Sequence, residues 1–284
     1  MKHKKKNAYS VAEQNIKILK SGKIKIQKGQ KISLVPYITD SVANTVCSRI
    51  DAIISKEEVV VDTTNCRLDT TSTLSTMRKT VEMLSRIEGS GTQTVIHIIN
   101  KKNAIEIFDF MDDSIVGTLL RSSTLAAIYK KIKDDWFDLN ESDKTQFTNI
   151  LFIPDILVFL DEDTGKVKKI PHKVNLLLVA EPSLKAMATG VERVTSEQAV
   201  ERTINDVFAS AIKCGAKNLV IAPYCHKIFL EDPYTTAGVW HDYTTIQKSI
   251  ENLNNVNFAV NNDDLYIIFM KNNSYNKMNS DLTK

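Results

Sequence analysis

Glycine is scarce in this chain, with nine residues in 284, well under the usual share of about 7%. A backbone so poor in glycine has few places where a loop can turn tightly and bring several N–H groups close to a ligand. No phosphate-binding GxxxxGK[ST] loop, dinucleotide GxGxxG fingerprint, HExxH helix or GxSxG elbow occurs, which removes the nucleotide-hydrolase, Rossmann, zinc-protease and serine-hydrolase signatures. No apolar run approaches the roughly 18 to 20 residues that span a bilayer, so no membrane partner is expected. The segment NAYSVAEQN after the first lysines is too polar for the core of a secretory signal, and the expected location is the cytoplasm of the producing cell or host. The four cysteines, Cys47, Cys66, Cys214 and Cys225, are scattered, as free thiols in a reducing compartment would be. No internal repeat is present.

What is present is an ordinary globular content, 43% apolar, enough for a packed core. The net charge of +3 owes much to Lys2, Lys4, Lys5 and Lys6. A basic terminus of that kind reads as a solvated tail rather than a nucleic-acid site.

The periodicity alternates between strand and helix. Ser10 and Glu13 have the spacing of a capping box before Val11, Ile16 and Leu19, and Ser21-Gly22 ends that helix. Ile24 with Ile26, and Ile32 with Leu34, suggest two short strands about the Lys28-Gly29-Gln30 turn. A second helix is expected from Asp40 to Ile54, burying Val42, Val46, Ile50 and Ile53. Further strands are expected at 59–62, 94–99, 156–160, 174–179, 218–222, 256–260 and 265–270. Helices are expected on the stripes Leu74–Ile87, Ile115–Ile132 and Val200–Ala211, the last capped by Thr195 with Gln198 and closed by Gly215. Segments apolar on both faces belong at the centre of a mixed sheet covered by helices on both sides.

Three stretches carry a family resemblance: RSSTLAAIY at 121–129, IPDILVFLDEDTG at 153–165 and NLVIAPYCHKIFLEDP at 218–233. In order and spacing they resemble the RRSTLY, YSPDVPVFRD and LVLGAxGCGxFxNDP landmarks of the microbial-type poly(ADP-ribose) glycohydrolases, a branch of the macrodomains. The leader NAYSVAEQNIKILKSGKIKIQKGQKISL resembles that family's helix and short strands. The resemblance implies an α/β fold, a macrodomain-like three-layer α/β/α sandwich with a mixed central sheet and an N-terminal helical extension. Its expected division is 1–55 as an extension packed on the core, 56–271 as the macrodomain and 272–284 as a disordered tail.

The chemistry is altered where the scaffold is kept. Without gaps, the family's NPGGG falls on Asn103, Ala104, Ile105, Glu106 and Ile107, and the count from Asn103 to Arg121 equals the family's count from its Asn to its Arg. The paired catalytic glutamates then fall on Val116 and Gly117, neither of which can act as an acid or a base. A register slipped by one turn brings Asp112 and Asp113 to that place. These two aspartates also suit the cap of a helix beginning near Ser114. The second loop, GCG in the family, becomes Cys225, His226 and Lys227, where the lysine supplies a point charge in place of a backbone cradle.

Other positions have two readings each. Asn100 ends a core strand, where the resemblance implies an Asn reaching the distal ribose and the plain reading is a turn residue. Phe229 could pack on a ligand or in the core, and Arg121 could meet a ligand or make a surface ion pair. Asp155 after Pro154 suits a turn, and His97 within VIHII suits the core. Cys225 and His226, with His241 and Cys214 nearby in sequence, have no compact zinc spacing, so neither a metal nor a cofactor is expected.

Binding of ADP-ribose, a related nucleotide or an ADP-ribosylated protein without efficient glycohydrolysis is the favoured expectation. The alternatives are an active glycohydrolase using Asp112 and Asp113, and a protein-interaction module whose cleft is closed.

Overall fold

Strands apolar on both faces reach low energy only with neighbours at both edges and cover on both sides, and the sheet is built around three such runs. The computed structural model describes residues 2–26, 29–50, 66–70, 81, 91–100, 103–142, 148–181, 196–221 and 253–260. Along the chain, helix α1 (Lys2–Ser21) leads to a small hairpin of β1 (Lys23–Lys25) and β2 (Lys31–Ser33), then to α2 (Val35–Ala43) and β3 (Val46–Arg49). Strands β4 (Cys66–Thr70) and β5 (Gln93–Asn100) are followed by helices α3 (Ile115–Ser122) and α4 (Leu125–Ser142). The long strands β6 (Asn149–Leu160) and β7 (Val167–Glu181), helix α5 (Ser196–Lys213), β8 (Asn218–Ile221) and β9 (Asn255–Val260) complete the described elements.

The main sheet has the order β3-β6-β7-β5-β8-β9-β4. Strands β7, β5, β8, β9 and β4 run parallel, whereas β6 is antiparallel to both β7 and β3. Of the segments expected to be central, 94–99, 174–179 and the described part of 218–222 are therefore neighbours in the middle of one mixed sheet.

Alternation of side chains fixes which helix covers which face. Val95 and Ile99 of β5 and Leu176, Leu178 and Ala180 of β7 share a cluster with Ile115 and Leu119 of α3 and Ile128 and Trp136 of α4. Residues of the other parity, Ile96, Ile98, Leu177 and Val179, are equally buried. Glu181 has that second parity and accepts a hydrogen bond from Thr203 of α5 at 3.0 Å. Thr148, just before β6, donates to Asp206 of α5 at 2.8 Å. Helix α5 thus lies on the face opposite α3 and α4, and the three-layer α/β/α arrangement is complete.

A second cluster joins the leader to the outer end of the sheet. Val11, Ile24 and Leu34 pack with Leu157, Phe159 and Leu160. Asn15 of α1 donates to the carbonyls of Leu120 and Ser123 at 2.7 and 3.0 Å.

Several expectations are corrected. Residues 40–54 are not one helix: Pro36 sits in the first turn of α2, the helix ends at Asn44, and Val46 enters β3 opposite Phe152. The β-branched Val46 and the β6 edge decide in favour of a strand. The apolar stripe at 115–132 is broken at Ser123-Thr124, because Thr124 exchanges two hydrogen bonds with the backbone of Leu157, one through its amide and one through its hydroxyl. Helix α1 begins at Lys2, so Ser10 lies inside it rather than at its cap. Asp155 sits within β6 at a register shift, with φ 55° and its amide bonded to Asn175 at 2.9 Å. It marks a bulge, not a turn between elements. Strands β6 and β7 are longer than expected, and β4 was not anticipated. The expected elements at 59–62, 74–87 and 265–270, and the tail, lie outside the described residues, apart from Val81.

Candidate functional site

In open α/β sheets, ligands bind in the crevice outside the carboxyl ends of parallel strands. Here that edge is marked by Asn100 and Glu181, which are register partners at the ends of β5 and β7. The chain leaves Asn100 and returns to the sheet through α3, so residues 103–114 form the described rim of the site.

Side chains, not glycines, hold that rim. The amide of Ile107 bonds the carbonyl of Asn103 at 3.2 Å, closing one helical turn. Ala104 is fully buried, and its carbonyl accepts the indole N–H of Trp136 at 2.8 Å. The ring of Phe108 stacks on Tyr129, with centroids 3.7 Å apart and planes 8° from parallel. Two aspartate-led turns follow: Asp109 Oδ1 accepts from the amide of Met111 at 2.9 Å, and Asp112 Oδ1 accepts from the amide of Ser114 at 3.2 Å. Such turns satisfy the backbone within the loop itself.

Helix α3 starts at a serine. Ser114 Oγ accepts from the amide of Gly117 at 3.1 Å, so Ser114 is the cap and neither Asp112 nor Asp113 is. The carboxylate of Asp112 is half-buried and occupied by its turn, whereas Asp113 is exposed. Val116 is fully buried. A β-carbon on Gly117 would stand 2.2 Å from the carbonyl oxygen of Asp112 and 3.0 Å from that of Asp109. Both positions that the gapless register assigns to the glutamate pair are closed to a carboxylate.

His97 projects from β5 to the same face as Val95 and Ile99. Burial pushes its imidazole down to about 4, and the charge of Asp112 opposes that shift. The ring is neutral at physiological pH and lies within electrostatic reach of the rim.

No protein-family profile matches the sequence, and no curated protein matches it. Solved structures do match. The poly(ADP-ribose) glycohydrolase of Thermomonospora curvata superposes with a TM-score of 0.67 at 18% identity, covering 93% of this chain and 98% of that one. The same enzyme bound to the inhibitor ADP-HPD gives a TM-score of 0.64. The glycohydrolase of Deinococcus radiodurans in complex with ADP-ribose gives 0.56 at 16% identity, covering 84% and 96%. The chain has the fold of the microbial poly(ADP-ribose) glycohydrolases.

Within that glycohydrolase fold, Arg121 is not the surface residue that its helix suggested. It is 2% exposed, and its guanidinium donates to the carbonyls of Phe110 at 2.5 Å and Asp112 at 2.7 Å while pairing with Glu162 of the β6–β7 turn. The fork of an arginine can serve a carboxylate and two carbonyls at once, and a lysine could not. Trp136, Tyr129 and Glu162 were not singled out from the sequence. The available signals were the full helical stripe through Trp136 and an acidic turn beginning directly after a core strand.

Asn103 is exposed at the start of the rim, and Asn100 ends β5. Cys225, His226, Lys227, Phe229 and His241 lie outside the described residues. Burial pushes the thiols of Cys47 and Cys214 up to about 12 and about 11, which makes both poor nucleophiles. Among the described residues, no group of three or more His, Cys, Asp or Glu side chains could hold a metal ion, and no helix is long and apolar enough to cross a membrane. A separate cavity of about 150 Å³ lies between α3 and the β6–β7 turn, bordered by Val95, Thr118, Val158, Glu162 and His172.

Proposed function

We propose that this protein binds ADP-ribose, a related nucleotide or an ADP-ribosylated protein in the cytoplasm, without efficient glycohydrolysis. The observation that carries this reading is the closure of positions 116 and 117. Glycosidic cleavage needs a carboxylic acid beside the leaving oxygen and a negative charge for the oxocarbenium-like centre. Val116 is packed in the core, and Gly117 has no room for a side chain. Support for the ligand class comes from the fold, whose Deinococcus radiodurans representative was solved with ADP-ribose.

Asn100, Asn103, Arg121, Cys225, His226, Lys227 and Phe229 are the residues proposed around the ligand, with Arg121 acting through the loop it holds. Glu106, exposed on the rim, opposes a diphosphate, and Lys227 compensates in part, so binding is weaker than in a glycine-lined cleft and sensitive to salt. Isothermal calorimetry with ADP-ribose, paired with an assay for release of ADP-ribose from the polymer, tests the proposal. Binding without turnover is expected. Turnover that Asp112→Asn abolishes would establish the second reading, hydrolysis by the aspartates. Absence of binding would leave a surface-only interaction module.

A further inference from the structure

We propose that the leader and the β6–β7 hairpin together form a surface that docks on anionic phospholipid. The first 33 residues contain ten lysines and a single carboxylate, Glu13, in a chain whose net charge is +3. The rest of the chain is therefore net negative, and positive charge is segregated to one region. The hairpin turn adjoins that region, because Gly165 abuts Val11 and Gln14 of α1, Val167 packs with the leader cluster, and the Lys173 ammonium sits 5.6 Å from the centre of the Tyr37 ring. The turn adds Lys166, Lys168 and Lys169 beside Asp161, Glu162 and Asp163, so the net positive charge of the surface comes from the leader. Lys20, Lys23, Lys25 and Lys31 of the leader and Lys166 and Lys169 of the hairpin are all exposed.

The β1–β2 ladder places Lys25 directly opposite Lys31. Like charges in that position destabilise a strand pair, and an anionic partner relieves the repulsion. The same region carries most of the exposed apolar side chains: Tyr9 is 60% exposed, Ile16 40%, Val35 58% and Ile170 75%, while Phe137 on α4 is the other such residue among those described. Aliphatic side chains among lysines suit the headgroup and acyl boundary of a membrane, where lysine meets lipid phosphate and isoleucine enters the apolar layer. A nucleic-acid surface would be served by arginine forks and aromatic platforms, and neither the leader nor the hairpin contains an arginine. Register places the hairpin at the amino end of β5, since Val174 pairs with Gln93, so docking there leaves Asn100 at the opposite end of that strand, while Arg121 links the hairpin turn at Glu162 to the carbonyls of Phe110 and Asp112 on the near part of the rim.

Sedimentation of the full chain with phosphatidylserine–phosphatidylcholine vesicles, and with phosphatidylcholine vesicles alone, tests this. The chain is expected to pellet with the anionic vesicles at low salt, to be released as salt rises, and to ignore the neutral ones. Lys166→Glu with Lys169→Glu should lower the bound fraction about tenfold or more, and Ile170→Asp should lower it as well, with circular dichroism unchanged in both because the sites are exposed. Equal binding to both vesicle types, no binding to either, binding untouched in both variants, or preferential capture by a DNA or RNA oligonucleotide would overturn the proposal.

Discussion

The carbonyl oxygen of Asp112 occupies the space that a side chain on residue 117 would need, 2.2 Å from an ideal β-carbon. That carbonyl cannot retreat freely, because Arg121 holds it at 2.7 Å. Loop and helix are thus fitted to glycine at this position. Gly117→Ala should destabilise the fold by about 2 kcal/mol through overpacking against backbone, read as a lower urea midpoint. Gly117→Glu should cost more and should not create glycohydrolase activity. A stable, active Gly117→Glu protein would show that the loop adapts and that the closure argument is wrong.

Arg121 ties together three segments: its own helix, the rim at 110–112 and the turn at 162. Removing one member of a buried, hydrogen-bonded ion pair leaves the other charge uncompensated, which costs about 3 to 5 kcal/mol. Arg121→Ala is expected at that level, and Arg121→Lys should recover only part of it, since one ammonium cannot reach Glu162 and both carbonyls. Glu162→Gln should be milder, because the two backbone bonds survive. Chemical denaturation of the three variants checks the order; equal stability of the Lys variant and the wild type would refute the fork argument.

Much of the architecture was legible because it follows from local pattern. Strands apolar on both faces, such as VIHII and VNLLLVAE, could only be central, and Gly215, with φ +74°, ends α5 as its position after the last apolar residue suggested. Two expectations failed where a tertiary partner outweighed local periodicity. Val42, Val46 and Ile50 keep helical spacing, yet β6 offers an unpaired edge that draws 46–49 into a strand. The stripe through Leu119 and Leu125 is continuous, yet the bonds of Thr124 to Leu157 divide the helix. The rim was less legible still. Arg121 looked like a surface residue because its partners are carbonyls 9 and 11 positions away and a carboxylate 41 positions away, and such links leave no periodic trace.

The indole of Trp136 fixes the rim at its other end. Trp136→Phe keeps most of the buried volume but leaves the carbonyl of Ala104 without its 2.8 Å donor. An unsatisfied buried acceptor costs about 1 to 3 kcal/mol. The expected signature is local: faster amide exchange in peptides covering 103–110, with exchange in β5 and β7 little changed. Uniformly faster exchange throughout the sheet would mean that the tryptophan serves the core rather than the rim.

Two buried groups give stability an opposed dependence on pH. Burial pushes the Asp206 carboxyl up to about 6 against the hydrogen bond from Thr148 and the charge of Arg202. An unfolded aspartate titrates near 3.9, so between about 4 and 6 the native state holds the extra proton, and the Asp206 contribution is lost as pH rises through that range. His97 has the opposite sign. With its folded value near 4 and an unfolded value near 6.5, the unfolded state binds the extra proton, and stability is lost as pH falls through the same window. The two slopes offset each other in the wild type. Asp206→Asn removes one of them while its amide oxygen still accepts from Thr148, so the variant should be more stable at pH 7 by on the order of 2 to 3 kcal/mol. That advantage should shrink to nothing near pH 4, leaving a profile that declines steadily on acidification because of His97. Urea midpoints at pH 4, 5, 6 and 7 measure both effects, and parallel curves for the two proteins would show that Asp206 is not held protonated in the fold.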